Sequence, residues 1–389
     1  MDLKGRVAAE VVERAPRLAE VAAEIHAHPE LLYEERFAAE LLAHELEEAG
    51  LAVERGAYGI ETAFAATAGA GEGPRVAILC EYDALPGIGH GCGHNLIAAA
   101  GLGAGLAAAS VAGEAGGRVV VLGTPAEEGG GGKVRLLDGG AFDGVDAAMM
   151  VHPAGIDLTE PEVIAIATWR VEYHGRGAHA AAHPERGRNA LDAAVLGYNA
   201  VAALRQHIAP DERIHGVFLK AGEKPNIIPH HTVTEWYVRS RTLETLEPLK
   251  ERVLAALEAG ARATGCTMTW EPTCAEYSEL RTNGPLVDLY RANSARAGRP
   301  LLDPTPANRV MVSTDMGNVS RRVPSIHPLV AVAPPDVALH TAEFAEWAVK
   351  PDANRAVVES ATAMAQTAVD VWTRPDVLRD IRDAFSPGP

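Results

Sequence analysis

The sequence predicts an α/β fold: a mainly parallel sheet with helices on both faces, plus an inserted α+β domain of ferredoxin-like order. Three observations carry this. Short apolar runs alternate with helical patterns through the first 160 residues. Near residue 163 the strands become long and alternate polar with apolar, as antiparallel strands do. A chain of 389 residues is also too long for one simple core.

Taken in order, residues 8–28 and 34–50 show helical periodicity with charged residues along one face. Residues 51–56 and 61–69 alternate like a hairpin. The run 75–82 (RVAILCEY) reads as a buried strand, 95–112 as an Ala-rich helix, and 118–124 (RVVVLGT) as a second buried strand. A helix is expected near 132–139 and a third strand over 145–153 (VDAAMMVHP). Then come an alternating strand from 163, a helix over 187–207, strands RIHGVFLK and TVTEWYVRS, a helix over 243–264 and strand CTMTWEP. The insertion is placed at 165–280. That leaves a discontinuous first domain, 1–164 and 281–389, ending in a helix over 351–373.

A formal net charge of −17 argues against nucleic acid, whose phosphates would be repelled. The four cysteines, Cys80, Cys92, Cys266 and Cys274, form no disulfide framework and suit a reducing compartment. The N-terminal residues are charged throughout, without the apolar centre of a signal peptide. A cytoplasmic location is therefore expected. The run 96–113 approaches a membrane span in length, but its Ala/Gly content reads better as a buried helix, so no membrane partner is expected.

Ligands of open α/β sheets bind at the carboxyl ends of strands. Asp83, Cys92 and His94 follow the strand 75–82, Glu127 and Glu128 follow 118–124, and His152 ends the third strand. Each group alone is weak; three at successive strand ends are not. Adjacent glutamates suit metal-assisted hydrolysis, one holding the ion while the other takes a proton from water. The stretch VVVLGTPAEEGGGGKV imitates a phosphate-binding loop, but Val134 follows Lys133 where Ser or Thr is needed, and two carboxylates would repel phosphate. A thiol reading, with Cys92 activated by His90 or His94, leaves Glu127, Glu128 and His152 without a role.

These residues resemble the amidohydrolase branch of the M20 metallopeptidases, along nearly the whole chain. The resemblance runs through IHAHPELLYEE (25–35), EYDALPGIGHGCGHN, GTPAEEGGGGK, MMVHP, GRGAHAAAHPERGRNALDAAV (175–195), NIIPHHTVTEWYVR (226–239), STDMGNVS (313–320) and LHTAEF (339–344). It implies a homodimeric hydrolase of N-acyl amino acids or small dipeptides that carries two divalent ions per protomer. Zn or Mn would be the ions, with Co or Ni also compatible. By the same resemblance Cys92 would bridge the ions, and His94, Glu128, His152 and His340 would complete the ligands. Glu127 would be the general base, with Asp83 orienting a ligand. The inserted domain would be lid and dimerisation domain, His179 would stabilise the oxyanion in the partner's site, and Asn226 and Arg239 would hold the substrate's carboxylate. His327 is a competitor for the place of His340. Two positions depart from the branch's wording, Glu81 and Asn95, where Asp is usual. A silent small-molecule binder of the same fold is the alternative from another functional class.

Overall fold

The computed structural model describes residues 1–69 and 71–385. In chain order the helices and strands are α1 (Leu3–Ala27), α2 (Arg36–Glu48), β1 (Ala52–Arg55), β2 (Phe64–Gly69), β3 (Arg75–Glu81), α3 (His94–Ala112), β4 (Arg118–Thr124), α4 (Gly132–Asp138), β5 (Ala147–Met149), β6 (His152–Ala154) and β7 (Glu162–Val163). There follow β8 (Ala165–His174), α5 (Ala190–Leu204), β9 (Arg213–Lys220), β10 (His231–Ser240), α6 (Leu243–Thr264) and β11 (Thr267–Pro272). The chain closes with α7 (Gly284–Arg296), β12 (Met311–Val312), α8 (Met316–Ser320), β13 (Ser325–Ile326), β14 (Leu329–Ala331), α9 (Ala342–Trp347), α10 (Pro351–Thr373) and α11 (Pro375–Asp383). Two compact units result, Met1–Glu162 with Leu280–Pro389, and Val163–Glu279.

In the first unit six strands pair in the order β1-β2-β4-β3-β5-β13. β4, β3, β5 and β13 run parallel, and β2 and β1 are added antiparallel at one edge. Alternate residues of the parallel strands feed two cores. Val76, Ile78, Val119 and Val121 pack with α1, α3 and α10. Ala77, Leu79, Val120 and Leu122 pack with Leu136 of α4 and with Met316 and Val319 around α8. Both faces are covered, so the strands read as continuous apolar runs rather than alternating ones. Helix α3 is apolar all round because it lies between the sheet and the helices α1 and α10. It is long and apolar enough to span a bilayer, yet 89% of that apolar window is buried in this unit.

The second unit is β8-α5-β9-β10-α6-β11, with an antiparallel sheet ordered β11-β8-β10-β9. Leu246, Leu249, Val253 and Leu257 make the buried stripe of α6 and pack with Trp169, Val171 and Tyr173 of β8. This is the split β-α-β order in which two helices cover one face of a four-stranded sheet.

One expected element is corrected. The third strand over 145–153 is two strands in two sheets: β5 pairs with β3 and β13, whereas β6 pairs with β14. The chain leaves the main sheet after Met149, which gives His152 a separate support. Helix α11, absent from the sequence reading, follows α10 after a single residue.

Candidate metal centre

Asp83 stands two residues beyond β3, and the chain then folds through a tight turn, Leu85 to Gly89, to reach Cys92 and His94. Gly93 between them adopts a left-handed conformation (φ 76°) and caps α3. A Cβ there would lie 2.9 Å from the Pro153 side chain, so both the turn and the close approach require glycine. The turn brings the Cys92 Sγ to 3.5 Å from His152 Nε2 and 3.4 Å from His340 Nε2. His340 is itself left-handed (φ 63°), and its N–H donates to the Gly91 carbonyl at 2.9 Å. For a residue with a Cβ that conformation costs about 1–2 kcal/mol, offset by this anchoring to the Cys92 loop.

The loop after β4 is wound on itself. Ala126 (φ 60°) accepts from the N–H groups of Gly130 and Gly132 at 3.1 and 3.3 Å, and its own N–H donates to Glu35 Oε1 at 2.9 Å. Glu127 and Glu128 follow it into the cluster. Asp83 joins the two loops: Oδ1 accepts from His94 Nδ1 at 3.1 Å, and Oδ2 accepts from the Glu128 N–H at 2.9 Å.

Two imidazoles, the buried His94 and the part-buried His152, are oriented through Nδ1. His94 donates to Asp83, and His152 donates to the Pro153 carbonyl at 2.7 Å, which leaves Nε2 of each ring as the nitrogen that can meet an ion. Two donor groups share Cys92: one is Cys92, His94 and His152, the other Cys92, Glu128 and His340, the donor atoms of each lying within 4.8 Å of one another. His94 Nε2 and Glu128 Oε1 are buried and have no hydrogen-bond partner. A mixed sulfur, imidazole and carboxylate set with orphaned, inward-facing atoms fits two divalent ions with Cys92 between them.

The electrostatics agree. Burial, then the charges of Glu81, Glu128 and Asp315, push Glu127 well above the ordinary carboxylate range. Burial also raises Glu128. Burial opposes a charge on His94, but Glu81 and Asp83 outweigh it and raise the imidazole well above its usual value. The same carboxylates that would hold a proton on His94 would hold a cation. Burial and the Glu128 charge push the Cys92 thiol up. Reactive thiolates sit in electropositive surroundings. This one faces carboxylates, which disfavours a thiol nucleophile and suits a sulfur ligated by cations.

Other candidates fall outside this cluster. His90 Nε2 donates to the Ile25 carbonyl at 3.1 Å, and burial pulls its pKa down to about 3. His327 is buried with its ring 5.5 Å from that of His152, but it belongs to none of the donor groups. His183 is exposed. Asn95 points away from the cluster, donating to the carbonyls of Ala22 and Ala348 at 3.1 and 3.0 Å, so this departure in wording ties α3 to α1 and to the end of α9.

Within the second unit, His179 is exposed, and its Nδ1 accepts from the N–H groups of Ala181 and Ala182 at 3.2 and 3.1 Å. Asn226 is its neighbour: the Asn226 carbonyl accepts from Ala180 N–H at 3.0 Å, and His179 bridges to Ile227. Arg239 lies near the far end of β10, roughly 27 Å along the strand from His231 at ~3.4 Å per residue. One copy of this unit therefore groups His179 with Asn226 but does not bring Arg239 to them.

Three residues near the cluster carry no role in the sequence reading. Lys133 is fully buried, ion-paired with Glu81 and, at 2.7 Å, with Asp315, whose Oδ2 also accepts the Lys133 backbone N–H at 2.8 Å. Glu35, also buried, fixes Ala126 as described. Lys133 was visible only as a false phosphate-loop lysine. A signal was available, since a lysine inside a loop-to-helix junction between two apolar strands must find carboxylates.

Comparison with known proteins agrees with the geometry. Residues 77–363 match the model of peptidase family M20/M25/M40. The chain is 40% identical to the Xaa-Arg dipeptidase of Mus musculus, covering 98% of this chain and 92% of that protein. It is 35% identical to one component of the p-aminobenzoyl-glutamate hydrolase of Escherichia coli K12, covering 68% of this chain and 60% of that one. Among solved structures, the aminobenzoyl-glutamate utilization protein of Klebsiella pneumoniae superposes with a TM-score of 0.73 at 20% identity, covering 94% of this chain and 98% of that one. A dinuclear metal binding peptidase of the M20 family from Bacillus subtilis superposes with a TM-score of 0.66 at 19% identity, covering 92% and 98%. A sheet ending in a cluster of Cys, His and Glu side chains, matched over most of its length by that family's model, makes this chain a member of peptidase family M20/M25/M40 and a hydrolase of amide bonds.

Proposed function

We propose that the protein hydrolyses the amide bond of small N-acyl amino acids or dipeptides at the Cys92-centred cluster. The carrying observation is that two donor groups share Cys92 while Glu127, a poised carboxyl, stands beside them. Two divalent ions at these groups, zinc or manganese first and cobalt or nickel also compatible, would polarise the scissile carbonyl and acidify water. Glu127, whose carboxyl its surroundings raise well above the ordinary range, takes the proton from the attacking water and returns it to the departing nitrogen. Asp83 holds His94 in the tautomer that presents Nε2. His179 and Asn226 enter as a pair from a partner copy, His179 steadying the oxyanion, and Arg239 takes the substrate carboxylate.

The Val163–Glu279 unit is proposed as lid and dimerisation domain. Support comes from its edge strand β9, which exposes Val217, Phe218 and Leu219 beside unpaired backbone groups, a surface that sheet-to-sheet pairing would cover. Four free cysteines support a cytoplasmic location.

The test is a substrate panel of N-acyl amino acids, aminobenzoyl-glutamate and dipeptides ending in arginine, run before chelation, after it, and after reloading with each metal. Activity should vanish with the metal and return with it. Glu127→Gln should lower kcat by about 10³-fold while keeping its metal content. Undiminished turnover by metal-free protein would overturn the reading.

A further inference from the structure

Glu81 ends β3 at 1% exposure, and its two carboxylate oxygens are used differently. Oε2 is held by the Lys133 ammonium, which Asp315 grips from its other side. Oε1 is buried and has no hydrogen-bond partner. It lies 3.1 Å from His94 Nε2, which is also buried without a hydrogen-bond partner. At that separation a bond between them would be expected, but the ring nitrogen is not aimed at the oxygen. His94 Nδ1 hydrogen-bonds Asp83, so Nε2 is the ring nitrogen left to meet Oε1, and no hydrogen bond joins them. A positive centre must hold two such atoms this close in a dry interior: a proton while no ion is bound, a metal ion once one is, and the missing hydrogen bond favours an ion between and beyond them. Donors about 2.0–2.2 Å from a common ion stand about 3 Å apart when the angle between them is near 90°. Glu81, His94 and Glu127 also offer donor atoms that all lie within 4.8 Å of one another.

We propose that Glu81 is a further metal ligand, binding through Oε1 the ion held by His94, with Lys133 as the positioning residue that occupies Oε2 and aims Oε1 inward. The inference rests on the two-metal reading above and adds a ligand to it. The Lys133 clamp explains why a carboxylate here binds through one oxygen only: the other already carries a full positive charge. It also fixes charge, since Lys133 cancels one of the two carboxylates it touches and limits the negative charge beside Glu127.

The test compares metal content and metal affinity, measured by elemental analysis and competition with a chromophoric zinc chelator. The variants are Glu81→Gln and the double variant Glu81→Ala/Lys133→Met, which removes the ammonium that a single Ala change would strand. Wild type should hold two zinc ions per chain. Both variants, folded by circular dichroism, should keep one tightly and bind the second about 100-fold more weakly. The cobalt-loaded double variant should also show altered visible absorption, because its ligand set has changed. Two ions bound with unchanged affinity and unchanged cobalt spectrum would overturn the Glu81 assignment and leave the two-metal reading standing. Wild type that holds no ions would overturn both.

Discussion

Glu35 is buried beneath the loop that carries the glutamate pair, and its Oε1 accepts the backbone N–H groups of Tyr33 and Ala126. Burial, reinforced by the charge of Asp83, raises its carboxyl to about 7 from an ordinary 4.5. Between those values the folded chain keeps a proton that the unfolded chain has released. Stability therefore falls as pH rises from about 5 to 8, by on the order of 3 kcal/mol. Glu35→Gln cannot ionise, so its melting temperature should change less across that range than that of wild type. Equal slopes in calorimetry would refute the assignment. The adjacent glutamates at 127 and 128 were legible because adjacency is a property of sequence. Glu35 was not, although it lies in a quoted motif, because its partner Ala126 is 91 residues away. The same holds for Lys133: its ion pairs reach 52 and 182 residues along the chain.

The elements most exposed to error are those whose ends carry the chemistry. Residues 145–153 form one apolar run, and nothing local says that the chain changes sheets inside it; the break follows from which strands are available to pair, β13 and β14, both from the C-terminal third. Helix α11 was hidden for another reason. Pro375 directly after a long helix reads as a stop, yet proline also suits a first helical turn, and here it starts a helix that buries Val377, Leu378 and Ile381. The strands 118–124 and 213–220 and the helix 243–264 were legible to the residue because each is bounded by turn signals. The loop between β4 and α4 is the least tolerant connection. A Cβ on Gly132 would lie 1.8 Å from the Pro125 carbonyl oxygen, a backbone atom that cannot yield without moving Glu127. Gly132→Ala should cost at least about 2 kcal/mol in stability and reduce kcat further than that loss explains, read by denaturant melts beside single-turnover rates. A variant with wild-type stability and rate would show that the loop is looser than its hydrogen bonds indicate.

At the scale of the molecule, each unit has its own apolar core. Val163–Glu279 closes its own sheet and covers it with α5 and α6, so this segment expressed alone should give a single cooperative thermal transition with retained helix and sheet content. A non-cooperative melt would show that it depends on the rest of the chain. The change from apolar runs to alternating strands was readable because a sheet covered on two faces and a sheet covered on one leave different patterns. The Glu81–Lys133–Asp315 trio bears on how the chain is made. As it leaves the ribosome, the segment carrying Glu81 and Lys133 appears first, the inserted unit next, and Asp315 only afterwards. Until Asp315 arrives, docking α4 would bury an ammonium with only half its counter-charge, and β13 and α10 are also still missing. Full pairing of Lys133 therefore waits for Asp315, whereas the insertion carries an apolar core of its own. The reaction centre then becomes complete only once synthesis has passed Asp315 and His340.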